Sequence, residues 1–256
     1  MKLNFKNQII LLTGATSGIG VSIVKFLADT GATIALHYNE NEKLANSLKD
    51  LIKNNSQVFK ADLSDKFQTE ILFNTVIKKY GKIDVLINNA GIYEESLIET
   101  EDSMKWLSEW DRTIMTNLTS STLLCKLSIA GFLRNTNKSG GRIINISSRA
   151  AFRGDTKDHL AYAASKGGMI SVTRSIARAY GKQNIKAFAI APGFVRTKMS
   201  DNFITQFGEK PIVDELSLNE MTEADDIAPT VAFLASGLMD HSTGCTIDIN
   251  GGSYIR

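Results

Sequence analysis

Prolines are scarce, with only Pro192, Pro211 and Pro229 in 256 residues, and no Gly/Ser/Pro-rich stretch separates one part of the chain from another. With no linker, internal repeat or low-complexity tract, residues 1–256 read as one domain. Two cysteines, Cys125 and Cys245, are too few for a disulfide framework. No spaced His/Cys/carboxylate cluster signals a metal, so none is expected. Neither sign of charge dominates: 29 Lys and Arg stand against 27 Asp and Glu, a formal net charge of +2. That balance gives no electrostatic ground for nucleic acid or a membrane as partner. Long apolar runs are missing too. Ile9-Ile10-Leu11-Leu12 is too short for a signal segment or a membrane span. What remains, 43% hydrophobic and 22% charged residues, is the make-up of a globular protein able to bury a sizeable core. A soluble, cytoplasmic protein is expected.

Short apolar or β-branched runs alternate with stretches of helical period. Strands are expected at 8–13, 33–38, 57–61, 84–88, 142–147, 186–191 and 246–249. Helices are expected near 19–29, 41–54, 66–79, 104–136, 160–181 and 224–236. Such alternation predicts an α/β fold, a doubly wound parallel sheet of about seven strands with helices on both faces. Ligands then bind at the carboxyl ends of the strands. Two stretches break the rhythm. Residues 93–111 are rich in acids, which is more often a solvated face than a binding site. Residues 197–222 read as a long irregular segment, a candidate substrate lid.

Thr13-Gly14-Ala15-Thr16-Ser17-Gly18-Ile19-Gly20 follows the first strand and opens the first helix. Glycine is needed where a backbone turns sharply and where a pyrophosphate must approach without meeting a Cβ. The free N–H groups and dipole at the helix start favour phosphate. Taken alone, the same pattern could be a tight turn with close helix–strand packing; its place between first strand and first helix favours phosphate. At the end of the second strand, Tyr38 occupies the spot expected for an acid that would bind a ribose 2′-hydroxyl, followed by Asn39. With no carboxylate there, NADP(H) is favoured over NAD(H), although no arginine clamps a 2′-phosphate and Glu40 lies close by.

Tyr162-Ala163-Ala164-Ser165-Lys166 lies in the helix after the fifth strand, and a spacing of four puts phenol and ammonium on one face. An ammonium beside a phenol favours phenolate, so the pair can move a proton to or from an alcohol oxygen while a nicotinamide exchanges hydride with the carbon. Tyr-x3-Lys alone is not specific. Ser147-Ser148 end the preceding strand, where a hydroxyl could hold a substrate oxygen or merely cap a turn. Asn88-Asn89-Ala90-Gly91 closes the fourth strand with small residues and amides that let backbone approach a cofactor. Asn117 interrupts a helical pattern, either as a structural hydrogen-bonder or as the holder of a relay water.

In this order, Thr13-Gly14-x3-Gly18-x-Gly20, Asp62-Leu63, Asn88-Asn89-Ala90-Gly91, Asn117, Ser148, Tyr162-x3-Lys166 and Pro192-Gly193 resemble the short-chain dehydrogenase/reductase family, in its short single-domain branch. The match covers nearly the whole chain. It implies a seven-stranded Rossmann-type sheet, a nicotinamide cofactor and a homotetramer. By this resemblance Tyr162 is the general acid/base. Lys166 holds the nicotinamide ribose and lowers the tyrosine pKa, Ser148 orients the substrate oxygen, and Asn117 keeps the relay water. The turn residues Gly14, Thr16, Ser17, Gly18, Ile19 and Gly20 would hold the diphosphate. Asp62 and Leu63 would flank the adenine, with Tyr38 and Asn39 at the adenosine ribose. Asn89, Ala90 and Gly91 would line the adenosine side, and Pro192, Gly193, Val195 and Thr197 the nicotinamide.

Departures from the family pattern bear on three points. The serine-to-tyrosine gap is one residue longer than in many members, which keeps Ser147 as a substitute for Ser148. Ser17 stands where NADP-preferring relatives often carry arginine. Asn250-Gly251-Gly252 replaces a common Asp-Gly-Gly, which should affect packing more than chemistry.

The reading is an NADP(H)-dependent oxidoreductase that interconverts a carbonyl and a secondary alcohol on a small-molecule substrate. The family's 3-oxoacyl-carrier-protein reductases fit the same motifs. However, Lys182-Gln183 and Lys138-Ser139 stand where their carrier-docking arginines are expected. A dinucleotide sensor without catalysis is the alternative of another class, and a complete proton-transfer set argues against it. Met199, Phe203, Ile204, Phe207 and Leu216 suggest a partly apolar pocket or simply anchors for the lid. Phe152, Arg153 and His159 are plausible pocket neighbours. The long helices at 104–136 and 160–181 could form an intersubunit bundle or be buried crossovers.

Overall fold

Ile9-Ile10-Leu11-Leu12 is apolar at every position, as a strand must be when both its faces are covered. In the computed structural model, which describes residues 3–52, 54–134 and 140–256, this run is β1 (Ile9–Leu12), in the middle of a parallel sheet. Ile10 and Leu12 point into one core and Leu11 into the other. The same alternation recurs at Ile34 and Leu36 against Ala35, and at Val85 and Ile87 against Leu86.

The chain runs β1, α1 (Gly18–Leu27), β2 (Thr33–Tyr38), α2 (Glu42–Leu51), β3 (Gln57–Lys60), α3 (Lys66–Tyr80), β4 (Val85–Asn88) and α4 (Ser103–Ile114). A π-helical turn, Met115–Thr119, joins α4 to α5 (Ser120–Arg134), followed by β5 (Gly141–Ile146), α6 (Ala150–Arg153) and α7 (Leu160–Tyr180). Then come β6 (Ile185–Pro192), β7 (Val195–Arg196), α8 (Lys198–Phe207), α9 (Lys210–Val213), β8 (Thr222–Glu223), α10 (Ala224–Ala235) and β9 (Thr246–Ile249). Seven strands pair in the order β3-β2-β1-β4-β5-β6-β9, all parallel. Helices α1 and α10 bury Ile23, Val24, Leu27, Val231 and Leu234 against one face; α3, α5 and α7 bury Leu72, Val76, Leu124 and Ile176 against the other. The chain reverses direction across the sheet between β1 and β4, which opens a crevice beyond their carboxyl ends.

Helix starts follow the side chains that satisfy free N–H groups. Asn41 caps α2, Asp65 caps α3, and Asp102 caps α4 by accepting from Met104 and Lys105. Asp102 belongs to the acidic 93–111 stretch, whose Glu95, Glu99, Glu101 and Asp111 are exposed, as a solvated face should be. Two expectations need correction. The helix expected across 104–136 is broken by the π turn, because an inserted residue widens one turn without disturbing the apolar period on either side. The segment 197–222 is not irregular: it holds α8, α9 and β8, which pairs with β7. Ser200 makes the difference at its start, its Oγ accepting from the Thr197 N–H at 3.0 Å. Among the described residues no helix is long and apolar enough to cross a membrane.

Candidate active site

Each glycine of the first turn answers a separate steric demand. Gly14 has φ +63°, and a Cβ there would sit 2.9 Å from the Ala90 Cα. At Gly20 a Cβ would stand 2.1 Å from the Gly14 carbonyl oxygen, so the helix could not start this close to the strand. A Cβ on Gly18 would strike the Thr197 side chain at 2.3 Å. The turn thus packs against Thr197, the residue before α8. Ser17 caps α1, its Oγ accepting from the Gly20 N–H (3.2 Å) and donating to the Gly14 carbonyl (2.9 Å). The Asn89 amide holds the same loop from above, donating towards the Thr13 carbonyl (3.0 Å), the Gly14 carbonyl (2.9 Å) and Ser17 Oγ (3.0 Å).

Below the turn lies His37, buried at the end of β2. Its Nδ1 accepts from the Gly14 N–H (3.1 Å), so Nε2 carries the hydrogen given to the Ala61 carbonyl (3.0 Å). Desolvation lowers its pKa to about 4, so the ring is a neutral strut between the glycine-rich turn and the end of β3.

Ser148, Tyr162 and Lys166 converge on a cleft of about 550 Å³ that also takes in Thr16, Ser17, Gly18 and Thr197. The two serines differ in direction. Ser147 Oγ donates to the Lys166 carbonyl at 2.8 Å and is occupied by the helix, whereas Ser148 Oγ accepts from the Ala150 N–H at 3.1 Å and lies near enough to the Tyr162 phenol to oppose the rise of its pKa. Lys166 is buried, and its ammonium donates to the Ile146 carbonyl at 2.9 Å. Desolvation lowers the Lys166 pKa to about 8 and raises that of Tyr162 to about 12, partly offset at the tyrosine by Ser148. The expected lowering of the tyrosine pKa is therefore not present in this geometry. The ammonium lies 5.6 Å from the phenol ring centre and spends a hydrogen on a carbonyl, while burial of the phenol prevails. Asn117 sits in the π turn. Its amide donates to the Ile92 carbonyl (2.9 Å) and to Ser165 Oγ (3.2 Å), and its Oδ1 accepts from the Ile92 N–H (2.8 Å). Both amide hydrogens are used, leaving one Oδ1 lone pair free for a water. A Cβ on Gly91 would lie 3.3 Å from both Asn117 Oδ1 and Lys166 Nζ.

A family model described as Enoyl-(Acyl carrier protein) reductase matches residues 14–254. The chain is 34% identical to 3-oxoacyl-[acyl-carrier-protein] reductase FabG of Staphylococcus aureus over 248 residues, 96% of this chain and 97% of that protein. It is also similar to a solved short chain dehydrogenase from Burkholderia cenocepacia in complex with NADP, at TM-score 0.86 and 26% identity, covering 99% of both chains. This chain belongs to the short-chain dehydrogenase/reductase family. It is an oxidoreductase of the carbonyl/alcohol pair, with the Rossmann-type sheet that the family implies. A Brucella melitensis structure described as ribose-5-phosphate isomerase is equally similar in shape, at TM-score 0.87 and 27% identity over 99% of this chain and 95% of that one.

Within this family frame the expected cofactor residues divide in two. Thr16, Ser17, Gly18, Ile19, Asn89, Gly91, Pro192, Gly193, Val195 and Thr197 line the cleft, along with Tyr162 and Lys166. Gly14, Gly20 and Ala90 shape it through backbone contacts. Tyr38 and Leu63 are buried, Asn39 is exposed, and Asp62 accepts from the Ser64 N–H and hydroxyl; none of these four lines the cleft. Asn250 packs its Cα 2.8 Å from where a Gly193 Cβ would be, a packing role as expected. Phe152 is not a pocket neighbour: it stacks on Tyr254 and lies under the Arg256 guanidinium at 4.0 Å. Lys138-Ser139 lies outside the described residues.

Sequence reasoning missed His37, which looked like an ordinary strand residue. It also missed the buried polar chain Asn88–Asn145–Thr173, in which Asn88 donates to Asn145 (2.8 Å) and Asn145 to Thr173 (2.8 Å). This chain ties β4 and β5 to α7. Tyr93 was missed as well. Its ring stacks on His159 at 3.8 Å and meets Tyr162 edge-on at 4.7 Å, and its hydroxyl donates to Asp155 at 3.1 Å. Only an isolated aromatic in an acid-rich stretch marked it in sequence.

Proposed function

We propose that this enzyme reduces a small-molecule carbonyl to a secondary alcohol with NADPH, and runs the reverse oxidation, with Tyr162 as general acid/base. The observation that carries the reading is the convergence of Ser148, Tyr162 and Lys166 on the cleft that the glycine-rich turn floors. The cradle fits a dinucleotide: a Cβ on Gly14, Gly18 or Gly91 would press on Ala90, on Thr197 or on Asn117 and Lys166, so bare backbone packs closely around the cleft, and α1 presents its N-terminus to it. When bound, the nicotinamide would supply hydride to the carbonyl carbon. Ser148 would hold the substrate oxygen by its hydroxyl. Tyr162, with a pKa near 12, is protonated at neutral pH and would donate to the oxygen as negative charge develops there. Lys166 would hold the cofactor ribose, and Asn117 Oδ1 a relay water beside it.

For NADP(H) over NAD(H), support comes from the missing carboxylate at Tyr38 and from the Burkholderia relative's NADP complex. A homotetramer acting in the cytoplasm is the further part of the proposal. Exposed Met104 and Leu107 on α4 provide an apolar surface for such an assembly to cover. Reduction of 3-oxoacyl thioesters on a carrier protein is the second reading, favoured by the similarity to FabG.

The test follows nicotinamide absorbance with NADPH and, separately, NADH against ketones, diketones, aldehydes, sugars and 3-oxoacyl thioesters. Turnover that disappears in Tyr162→Phe is expected. Equal turnover by that variant would overturn the assignment, and signalling without turnover would favour a sensor.

A further inference from the structure

The cleft has a second end, lined by Arg149, Arg153 and Asp155, that the proton-transfer groups do not use. Arg149 directly follows Ser148, and Arg153 stands one helical turn on, at the end of α6. Both guanidiniums reach for a single carboxylate oxygen, Glu215 Oε2, at 3.2 and 3.6 Å. Arg149 is 7% exposed, and its Nη1 makes no hydrogen bond of acceptable geometry despite the nearby anion. A buried guanidinium donor left in that state is costly, and a carboxylate bound in fork geometry would satisfy it. Among the described residues Asp155 makes no ion pair with either arginine, and its Oδ1 accepts from the Tyr93 hydroxyl and the Thr156 N–H. Glu215 comes from the lid side, just after α9, and half of its side chain is exposed, so it can be displaced without unfolding anything. Burial and the adjacent Arg153 lower the pKa of Arg149, as expected for two cations that share one anion.

We infer that Arg149 and Arg153 form a carboxylate subsite that Glu215 fills in the free enzyme, and that the substrate is a small oxo acid or hydroxy acid. The substrate carboxylate would replace that of Glu215 while its carbonyl lies at Ser148 and Tyr162. The assignment rests on the oxidoreductase reading for its chemistry, but not for its anion site. A neutral thioester places no charge there, which sets this substrate class apart from that of the carrier-linked relatives. Displacing the Glu215 carboxylate removes one tie of the segment after α9, which Ser217 N–H still holds to the Gly251 carbonyl at 2.7 Å.

Two measurements on the full chain test it. Calorimetric titration with succinate, a carboxylate that cannot be reduced, should show binding that falls at least tenfold in Arg153→Gln and tightens in Glu215→Gln. Dimethyl succinate should not bind. Turnover of 3-oxo acids should exceed that of their methyl esters, and the acid-to-ester ratio of kcat/KM should fall at least tenfold in Arg153→Gln. No succinate binding, or an acid-to-ester ratio that Arg153→Gln leaves unchanged, overturns the subsite and makes the arginines a lid latch only. Failure of the oxidoreductase reading is separate: it appears as an absence of turnover or as Tyr162-independent turnover, and neither affects the titration, which then decides the subsite alone.

Discussion

The two ends of the cleft are built on opposite chemistry. The cofactor end, from Thr13 to Gly20, contains no charged residue, and its shape rests on glycines and on the neutral side chains of Ser17, His37 and Asn89. The substrate end is crowded with charge: Arg149, Arg153, Asp155 and Glu215. At the glycine-rich end, backbone N–H groups and a helix terminus suit a phosphate, and they need close approach and a rigid turn. Side chains on a short helix and on the segment after α9 can be exchanged without disturbing the sheet, which suits recognition of a variable substrate.

The largest expected effect lies at the junction of the two ends. Tyr162→Phe should lower kcat by about 10²–10⁴-fold, the usual value of a positioned general acid, with cofactor affinity unchanged by fluorescence titration. A variant that lost cofactor binding and turnover alike would blur the distinction between the ends.

The strut under the cofactor end predicts acid sensitivity. His37 titrates at about 4 in the folded chain against about 6.5 when unfolded, so between those values the unfolded state binds more protons. Its contribution is complete above about pH 7 and is lost as pH falls from about 6.5 to 4, on the order of 3 kcal/mol. Denaturant unfolding over that range should show the slope in wild type and a shallower one in His37→Gln. Parallel profiles would remove His37 as the strut.

Gly20→Ala tests the close approach itself. With a Cβ 2.1 Å from the Gly14 carbonyl, the turn must shift, so stability should fall on the order of 1–3 kcal/mol and both nicotinamide cofactors should bind more weakly. Unchanged affinity would mean that the turn does not meet the diphosphate.

The smallest effect is expected on the lid, where Arg196 pairs with Glu209 and Glu223 at the surface. Arg196→Ala should cost about 0.5 kcal/mol in global stability, since exposed pairs contribute little. It should act instead on KM through the position of α8 and α9. A large drop in melting temperature would show the lid to be part of the core.

Much of the cofactor end was legible before any coordinates. Gly14, Gly18 and Gly20 stand out because only glycine meets the steric demand, and Tyr162 and Lys166 because a helix repeats its face every four residues. The segment 197–222 looked irregular because α9 is a single turn, α8 buries only Ser200, and the Thr197–Ser200 pairing that starts α8 depends on local geometry. Arg149 resembled any basic residue after a strand. Its meaning comes from Glu215, sixty-six residues away in the chain.

By itself, then, the sequence determined the parallel sheet, the glycine-rich turn and the shared face of Tyr162 and Lys166, because these follow from periodicity and from backbone sterics that act between near neighbours. Tertiary structure alone decided which serine faces the phenol, that His37 is a neutral strut, that burial lifts the phenol instead of the ammonium lowering it, and that two arginines share one acid. Each of these depends on direction, desolvation and contacts between distant segments, quantities that exist only after the chain has closed around the cleft.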